Sequence, residues 1–553
     1  MHMPHQAVLA RVLGVDYAHS RTPEGGDLYL TRHGVPYHEH LMPENWHEPG
    51  WFVRQRQRLE GTAVVYKVPT KPVAGESIAL VVKYSRVGQD VPLETHIIFE
   101  VLNAEFNSPF EEFSLVEELR LSTHGPSELA FFPMLPLAIY VPPGRMQPWQ
   151  TGRSESKIAT KIAQHPGVEL DILRDYIMVY GWIHGIDTHE AQGRGLMSQQ
   201  QVDLLMARVN EEMHAKGFRM LDMKSKHIVV FPRKGGGFRE EHDQTYYRVI
   251  DFELLQRTQE YDAVVKLRNR ETYLLLQSHR FAPDTEEFPS HLQPTRVMGV
   301  DYVYGHAEST GGHLWVVGRD PRLFDFFLPE RWRKTPRLRL SERNQIYYTL
   351  SKDNIRLVWR ISRLGEEPLV RPVQPRANEM RRHGYNSPFE AVAYALELQR
   401  RGLPTTNPRA IYMTGHRLSQ LQPPVDPSRF ESHRGILTPC GDPLLQEGYD
   451  YVTLWGFWSG TNTVLADFGF VHDQCLNLRQ AVIHNLLTVS EAEEAVGRYE
   501  AMMEEAGFEA LDLSPGHLLI SVEPGGGVRR DAAGHVETRL CNLQFVRPLP
   551  GKS

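Results

Sequence analysis

The chain is written twice. "RVLGVDYAHSRTPEGGDLYL", from Arg11, returns as "RVMGVDYVYGHAESTGGHLWV" from Arg296. "LVVKYSRVG" at 80–88 returns as "LVWRISRLG" at 357–365, "NSPFEEF" at 107–113 as "NSPFEAV" at 386–392, and "GFRMLDMKSKHIVV" as "GFEALDLSPGHLLI". The pairs keep their order and an offset close to 280 residues. That period is far too long for a solenoid, whose repeats run to a few tens of residues, so it marks a domain duplication. Any fold proposed for one half must therefore suit the other. The polar, proline-bearing stretch "APDTEEFPSHLQPT" (282–295) separates the halves, and the expected domains are 1–285 and 286–553, with 1–50 as an N-terminal β extension.

Each half follows one coarse plan, and the expected class is α+β. "SIALVVKYSRV" reads as a buried strand, a short apolar run rich in β-branched residues. "SPFEEFSLVEELRLST" reads as a helix with Ser108 at its N-cap and Pro109 at its first position. "DYIMVYGWI" is a second strand, and "SQQQVDLLMARVNEEMHAKG" an amphipathic helix ending at Gly217. Strands "HIVVFP" and "YYRVIDFEL" flank the turn "RKGGG", and the helix "QEYDAVVKLRNRETYLLLQ" closes the half.

Composition narrows the function. A net charge of −7 argues against nucleic acid as a partner, since phosphate binding leaves a basic footprint. Only Cys440, Cys475 and Cys541 are present, with no CxxC, which points to a reducing compartment, hence the cytoplasm, and to no structural zinc. The longest apolar run, "LAFFPMLPLAIYVPP", is too short and proline-broken to span a bilayer, so no membrane partner is expected.

Chemistry-bearing residues concentrate in the first half. Lys83 interrupts an apolar strand, and a buried ammonium requires a partner. Glu111 and Glu118, seven apart on one face of the following helix, are the two candidates; Glu111 is favoured because the second half keeps it as Glu390. Asp222 precedes an apolar run, with Lys224 two residues on and His227 five on. Asp251 sits amid the apolar neighbours of "VIDFEL", where a carboxylate needs a cation or dense hydrogen bonding.

"LVVK", the glutamate-bearing helix, "DMKSKH" and "IDFE", in that order across about residues 60–258, resemble the motifs of the protein kinase-like superfamily, in its compact atypical form. The resemblance implies two tandem domains, each with a small β-rich lobe, one glutamate-bearing helix and a reduced helical lobe. It implies ATP and Mg²⁺ as cofactors, with Lys83 on the phosphates, Asp222 as catalytic base, Lys224 on the γ-phosphate and Asp251 as principal metal ligand. "MVYGWIHGID" would be the hinge, with backbone contacts to adenine near Tyr180; Asp187 would lie near the ribose, and Gly61 would belong to a reduced phosphate-covering loop. Departures accompany the match. His227 stands where kinases place Asn as a metal ligand, which suits Mn²⁺ better than Mg²⁺, and Glu253 replaces the glycine of D-F-G.

The second half loses these groups and keeps the apolar frame. Lys83 becomes Arg360, Gly61 becomes Arg343, Asp187 becomes Asn462, Lys224 becomes Ser514 and Asp251 becomes Asn542, while Asp222 and His227 persist as Asp512 and His517. By the same resemblance the second half would be a pseudokinase that contacts the first and stabilises or regulates it, or that docks a partner. The expected activity is ATP-dependent phosphoryl transfer to a protein or small-molecule acceptor. The alternatives are a non-catalytic ATP-binding switch or scaffold, and transfer of AMP.

Overall fold

The computed structural model describes residues 7–59, 64–85, 106–121, 124–125, 132–144, 175–282, 288–333, 335, 337–341, 344–370, 376–415, 425–458, 475–523 and 526–549. Gly61, Arg343 and Asn462 lie outside the described residues. The chain is α+β and divides into two compact units, with the main break between Val265 and Lys266. The break falls earlier than the expected 285/286, inside a helix whose second half packs in the second unit: there Asn269 donates to Asp353 at 2.7 Å and Arg270 to the carbonyl of Asn354 at 2.9 Å.

The first unit opens with β1 (Val8–Val12), β2 (Val15–Arg21), β3 (Asp27–Leu30), β4 (Gln57–Arg58), β5 (Val65–Pro69) and β6 (Ala79–Tyr84). Helix α1 (Pro109–Leu121) precedes β7 (Pro136–Val141) and β8 (Ile177–Gly181). These strands form one antiparallel sheet in the order β1-β2-β3-β7-β8-β6-β5-β4. Alternation along the strands divides its residues between two faces. Leu80, Val82, Ile177 and Val179 share a core with Leu41, Trp46 and Phe52 from the short helices ahead of β4. Lys83 and Tyr180 fall on the opposite face, where α1 packs through Phe110 against Tyr17 and Tyr29, ring centroids 5.5 and 5.2 Å apart.

The rest of the unit comprises β9 (Ile186–Asp187), α2 (Thr188–Gly193), α3 (Gln199–Ala215), β10 (Phe218–Met220), β11 (Ile228–Val230), β12 (Glu240–Glu241), β13 (Gln244–Thr245), β14 (Tyr247–Val249), β15 (Leu255–Arg257) and α4 (Gln259–Ser278). The expected end of α3 holds: Gly217 follows it at φ +82°, and a Cβ there would meet the Tyr261 ring at 2.6 Å. Strands β14-β11-β9 form one small sheet, β10-β15 a second and β12-β13 a third.

The second unit repeats the large sheet of the first strand for strand. Its large sheet is built of β16 (Leu292–Val297), β17 (Val300–Ala307), β18 (Gly312–Val317), β19 (Arg337–Arg339), β20 (Ile346–Leu350), β21 (Arg356–Ile361), β22 (Pro408–Met413) and β23 (Tyr451–Gly456), with α5 (Pro388–Arg400) after β21. The order β16-β17-β18-β22-β23-β21-β20-β19 is that of the first sheet with every index advanced by fifteen. Register repeats too: Val81 faces Tyr180 and Lys83 faces Met178, as Val358 faces Trp455 and Arg360 faces Thr453. The remainder is β24 (Cys475–Asn477), α6 (Leu478–Ile483), α7 (Val489–Glu505), β25 (Phe508–Ala510), β26 (Leu518–Ser521), β27 (Arg539–Leu540) and β28 (Val546–Pro548). Shared strand order and register carry the duplication from sequence into structure. No helix among the described residues is long and apolar enough to cross a membrane.

Candidate functional site

Lys83 is the centre of the site. Its ammonium, almost wholly buried, lies 2.6 Å from Asp251, 3.4 Å from Glu112 and 3.5 Å from Glu253. Three chain segments converge there: β6 brings the lysine, α1 brings Glu112, and the stretch after β14 brings Asp251 and Glu253. Asn107, just ahead of α1, ties two of them together. Its backbone N–H donates to the carbonyl of Glu253 at 3.0 Å and its side chain to that of Leu255 at 2.9 Å.

The partner of Lys83 is thus Glu112, correcting the choice between Glu111 and Glu118. Glu111 closes a capping box. Its carboxylate accepts from the Ser108 backbone N–H at 2.9 Å, and its own N–H donates to the Ser108 hydroxyl at 3.3 Å. Glu390 does the same with Ser387, so its persistence in the second half reflects helix initiation. Glu118 binds Arg257 through both oxygens, at 3.0 and 2.6 Å. Glu118→Gln is expected to cost about 2 kcal/mol, between the values for exposed and buried pairs, in urea unfolding, and to leave any cation response unchanged.

Tyr180 also differs from expectation. It lies inside β8, paired with Val81 on one side and Pro136 on the other, so its backbone belongs to the sheet interior and presents no open edge to an adenine ring. Its contribution is the hydroxyl, which donates to Glu112 at 2.5 Å. Asp187 is the N-cap of α2, accepting from the Glu190 N–H at 2.7 Å. Its counterpart is Asn477, the N-cap of α6, because Asp187 pairs with Val229 as Asn477 pairs with Leu519. This corrects the assignment to Asn462.

Asp222 and Lys224 follow β10 and pair with each other at 2.8 Å, with the lysine more than half exposed. His227 closes a 3₁₀ turn before β11, and its Nε2 lies 3.6 Å from Asp251. Its Nδ1 is buried without a hydrogen-bond partner among the described residues. Asp251 adopts φ +66°, a region Asp tolerates better than most residues, and this left-handed turn ends the strand begun at β14. Its position is replaced by Asn542 in the second unit, which is absent from the described left-handed residues.

Among the described residues, the buried Lys83 ammonium is shared by three carboxylates, and Asp222 pairs with Lys224. Burial works to lower the Lys83 pKa, but Asp251, Glu112 and Glu253 together hold it well above the usual lysine range. For Glu112 burial is the larger effect and raises the carboxyl, while Lys83 and the Tyr180 hydroxyl only partly restore the anion. The two directions are compatible because Asp251 takes the nearer share of the ammonium. Burial lowers the His227 pKa, opposed by Asp251 and Asp222.

In the second unit the counterpart cluster is closed on itself. Arg360 donates to Asn542 at 2.9 Å, and Asn542 donates to Asp512 at 2.7 Å. Ala391 stands at the Glu112 position, Gln544 at the Glu253 position and Trp455 at the Tyr180 position. One guanidinium and one carboxylate remain, which are already balanced.

Asp251, with His227 beside it, is the carboxylate of the first cluster that could hold a divalent ion. Asp251 and Asp222 are both partly exposed, at 29% and 19% of their side chains, so added ligands have access to them. Among the described residues no three His, Cys, Asp or Glu groups cage an ion. Mg²⁺ commonly uses one or two carboxylates and takes the rest of its shell from water and phosphate. Comparison of the sequence with family models and with curated proteins returned no match.

Proposed function

We propose that the protein is a cytoplasmic, ATP-dependent phosphotransferase of kinase-like fold, with catalysis in the first unit and a pseudokinase regulating or scaffolding it in the second. The observation that carries this reading is Lys83 held between Glu112 on α1 and Asp251 after β14. This supports the reading because phosphoryl transfer calls for a lysine paired with a helix glutamate and an aspartate close by to hold a metal. Lys83 would meet the nucleotide phosphates, and Glu112, oriented by Tyr180, would fix the lysine. Asp251 would hold Mg²⁺, or Mn²⁺ together with His227, and the ion would neutralise phosphate charge. Lys224 is exposed enough to leave Asp222 for the γ-phosphate, freeing that carboxylate to take the proton of an acceptor hydroxyl. The acceptor oxygen then bonds to the γ-phosphorus as its bond to the ADP oxygen breaks. The acceptor is a hydroxyl of a protein or a small molecule.

The Asp222–Lys224 ion pair favours one second reading, a nucleotide-binding switch whose base stays tied. Incubation with ATP labelled at the α- or the γ-phosphate separates these. Transfer of γ-label to the chain or to added acceptors is the expected result. Transfer of α-label assigns AMP transfer, and nucleotide binding without transfer of either label assigns the switch.

A further inference from the structure

We propose that the second unit carries a binding site for an organic oxyanion, headed by Arg280. A cavity of about 1190 Å³ lies in this unit, lined by Gln277 at the end of α4, by Arg280 in the turn that follows, and by Tyr394 and Phe508. Arg280 is 6% exposed and donates to the carbonyl of Pro408 at 2.8 Å and to Gln277 Oε1 at 3.4 Å. Arg409, 2% exposed, donates to that same Gln277 oxygen at 2.7 Å. Two buried guanidiniums thus converge on one neutral amide oxygen. Their donation fixes the amide's orientation, so Gln277 Nε2 points elsewhere, buried and without a hydrogen-bond acceptor among the described residues.

No described carboxylate pairs with Arg280. Burial and the like charge of Arg409 push it down to about 9, yet a guanidinium remains protonated at neutral pH and cannot shed its charge. The fold does not impose this arrangement. Ala138 pairs with Val179 as Ala410 pairs with Leu454, which places Leu137 of the first unit where Arg409 stands in the second. At the lining, Arg400 and Arg401 are matched by Glu397 at 2.6 Å each, leaving that carboxylate already engaged. An oxyanion would accept from Arg280 and from the orphaned amide, in the geometry guanidinium serves best. The cavity is far larger than a bare phosphate ion, and the Tyr394 and Phe508 rings, 5.9 Å apart, offer surface to an organic body.

The test uses the full chain in EDTA, which removes any divalent ion from the first unit. Thermal unfolding is followed with inorganic phosphate, phenyl phosphate, acetate and benzoate. A saturable rise in Tm is expected, larger for the aromatic than for the simple anion; the better of phenyl phosphate and benzoate assigns phosphate or carboxylate as the head group. Arg280→Met should abolish the rise and melt no lower than the parent without anion, and Arg280→Lys should keep it with about tenfold weaker affinity. The proposal is overturned by no saturable response in the parent, or by a response that survives Arg280→Met. It is equally overturned if Arg280→Met fails to fold while Arg280→Lys melts like the parent, which would make the charge structural.

Discussion

Lys83→Met is expected to abolish nucleotide-dependent transfer and to destabilise the first unit by about 3–5 kcal/mol at pH 7, the usual cost of removing one partner from a buried ion pair. The substitution removes the ammonium that Glu112, Asp251 and Glu253 share, and Glu112 is almost fully buried. The loss should depend on pH in a definite direction. The folded-state pKa of Glu112 is already raised above its unfolded value, first by burial, and loss of Lys83 raises it further. A group shifted in this way contributes stability below its unfolded pKa and loses it as pH rises through the folded pKa. The deficit of Lys83→Met should therefore be small in mild acid and grow toward neutral and alkaline pH. Urea unfolding of variant and parent at several pH values between 5 and 8.5 measures it. A deficit that is the same at every pH would mean that the carboxylates are not coupled to the lysine.

How much of this was legible in the sequence follows from what each signal measures. Repetition with constant offset reports on backbone topology, and the two eight-stranded sheets match it in order and register. Lys83, Asp222, His227 and Asp251 were legible because polar groups inside apolar runs need a partner, and they do gather around one cluster. The glutamate was not, because neighbouring helix positions differ by about 100° in direction and residue spacing alone does not say which one faces the sheet. The signal was nevertheless present. Ser108-x-x-Glu111 is a capping-box sequence, which commits Glu111 to the helix start. Glu112 becomes Ala391 in step with the other losses, whereas Glu111 persists. Asp187 was misaligned because more residues separate β23 from β24 than β8 from β9, so only the strand pairing identifies Asn477 as its equivalent.

Asp251→Asn converts one feature of the first cluster into that of the second, and its expected effects run in opposite directions. Transfer activity should fall by several hundredfold or more, since a neutral amide cannot replace a carboxylate in stabilising a cation worth several kcal/mol. Stability without divalent ions should rise, because one of three carboxylates around Lys83 loses its charge while Glu112 and Glu253 still pair the ammonium. Backbone strain does not oppose the change, as Asn tolerates the left-handed conformation that Asp251 holds at φ +66°. Asn542 displays the outcome: its oxygen accepts from Arg360 and its amide donates to Asp512, so the acid that remains is satisfied inside the protein. The corresponding new amide in the first unit removes the principal metal ligand and offers the candidate base Asp222 a donor. Thermal unfolding with and without Mg²⁺ or Mn²⁺ reads this directly. The parent should gain stability on adding either ion, and Asp251→Asn should start higher and gain nothing. A parent that is indifferent to both ions would mean that the carboxylates around Lys83 are balanced within the protein, and the cluster would then be a structural ion-pair centre with no part in phosphoryl transfer.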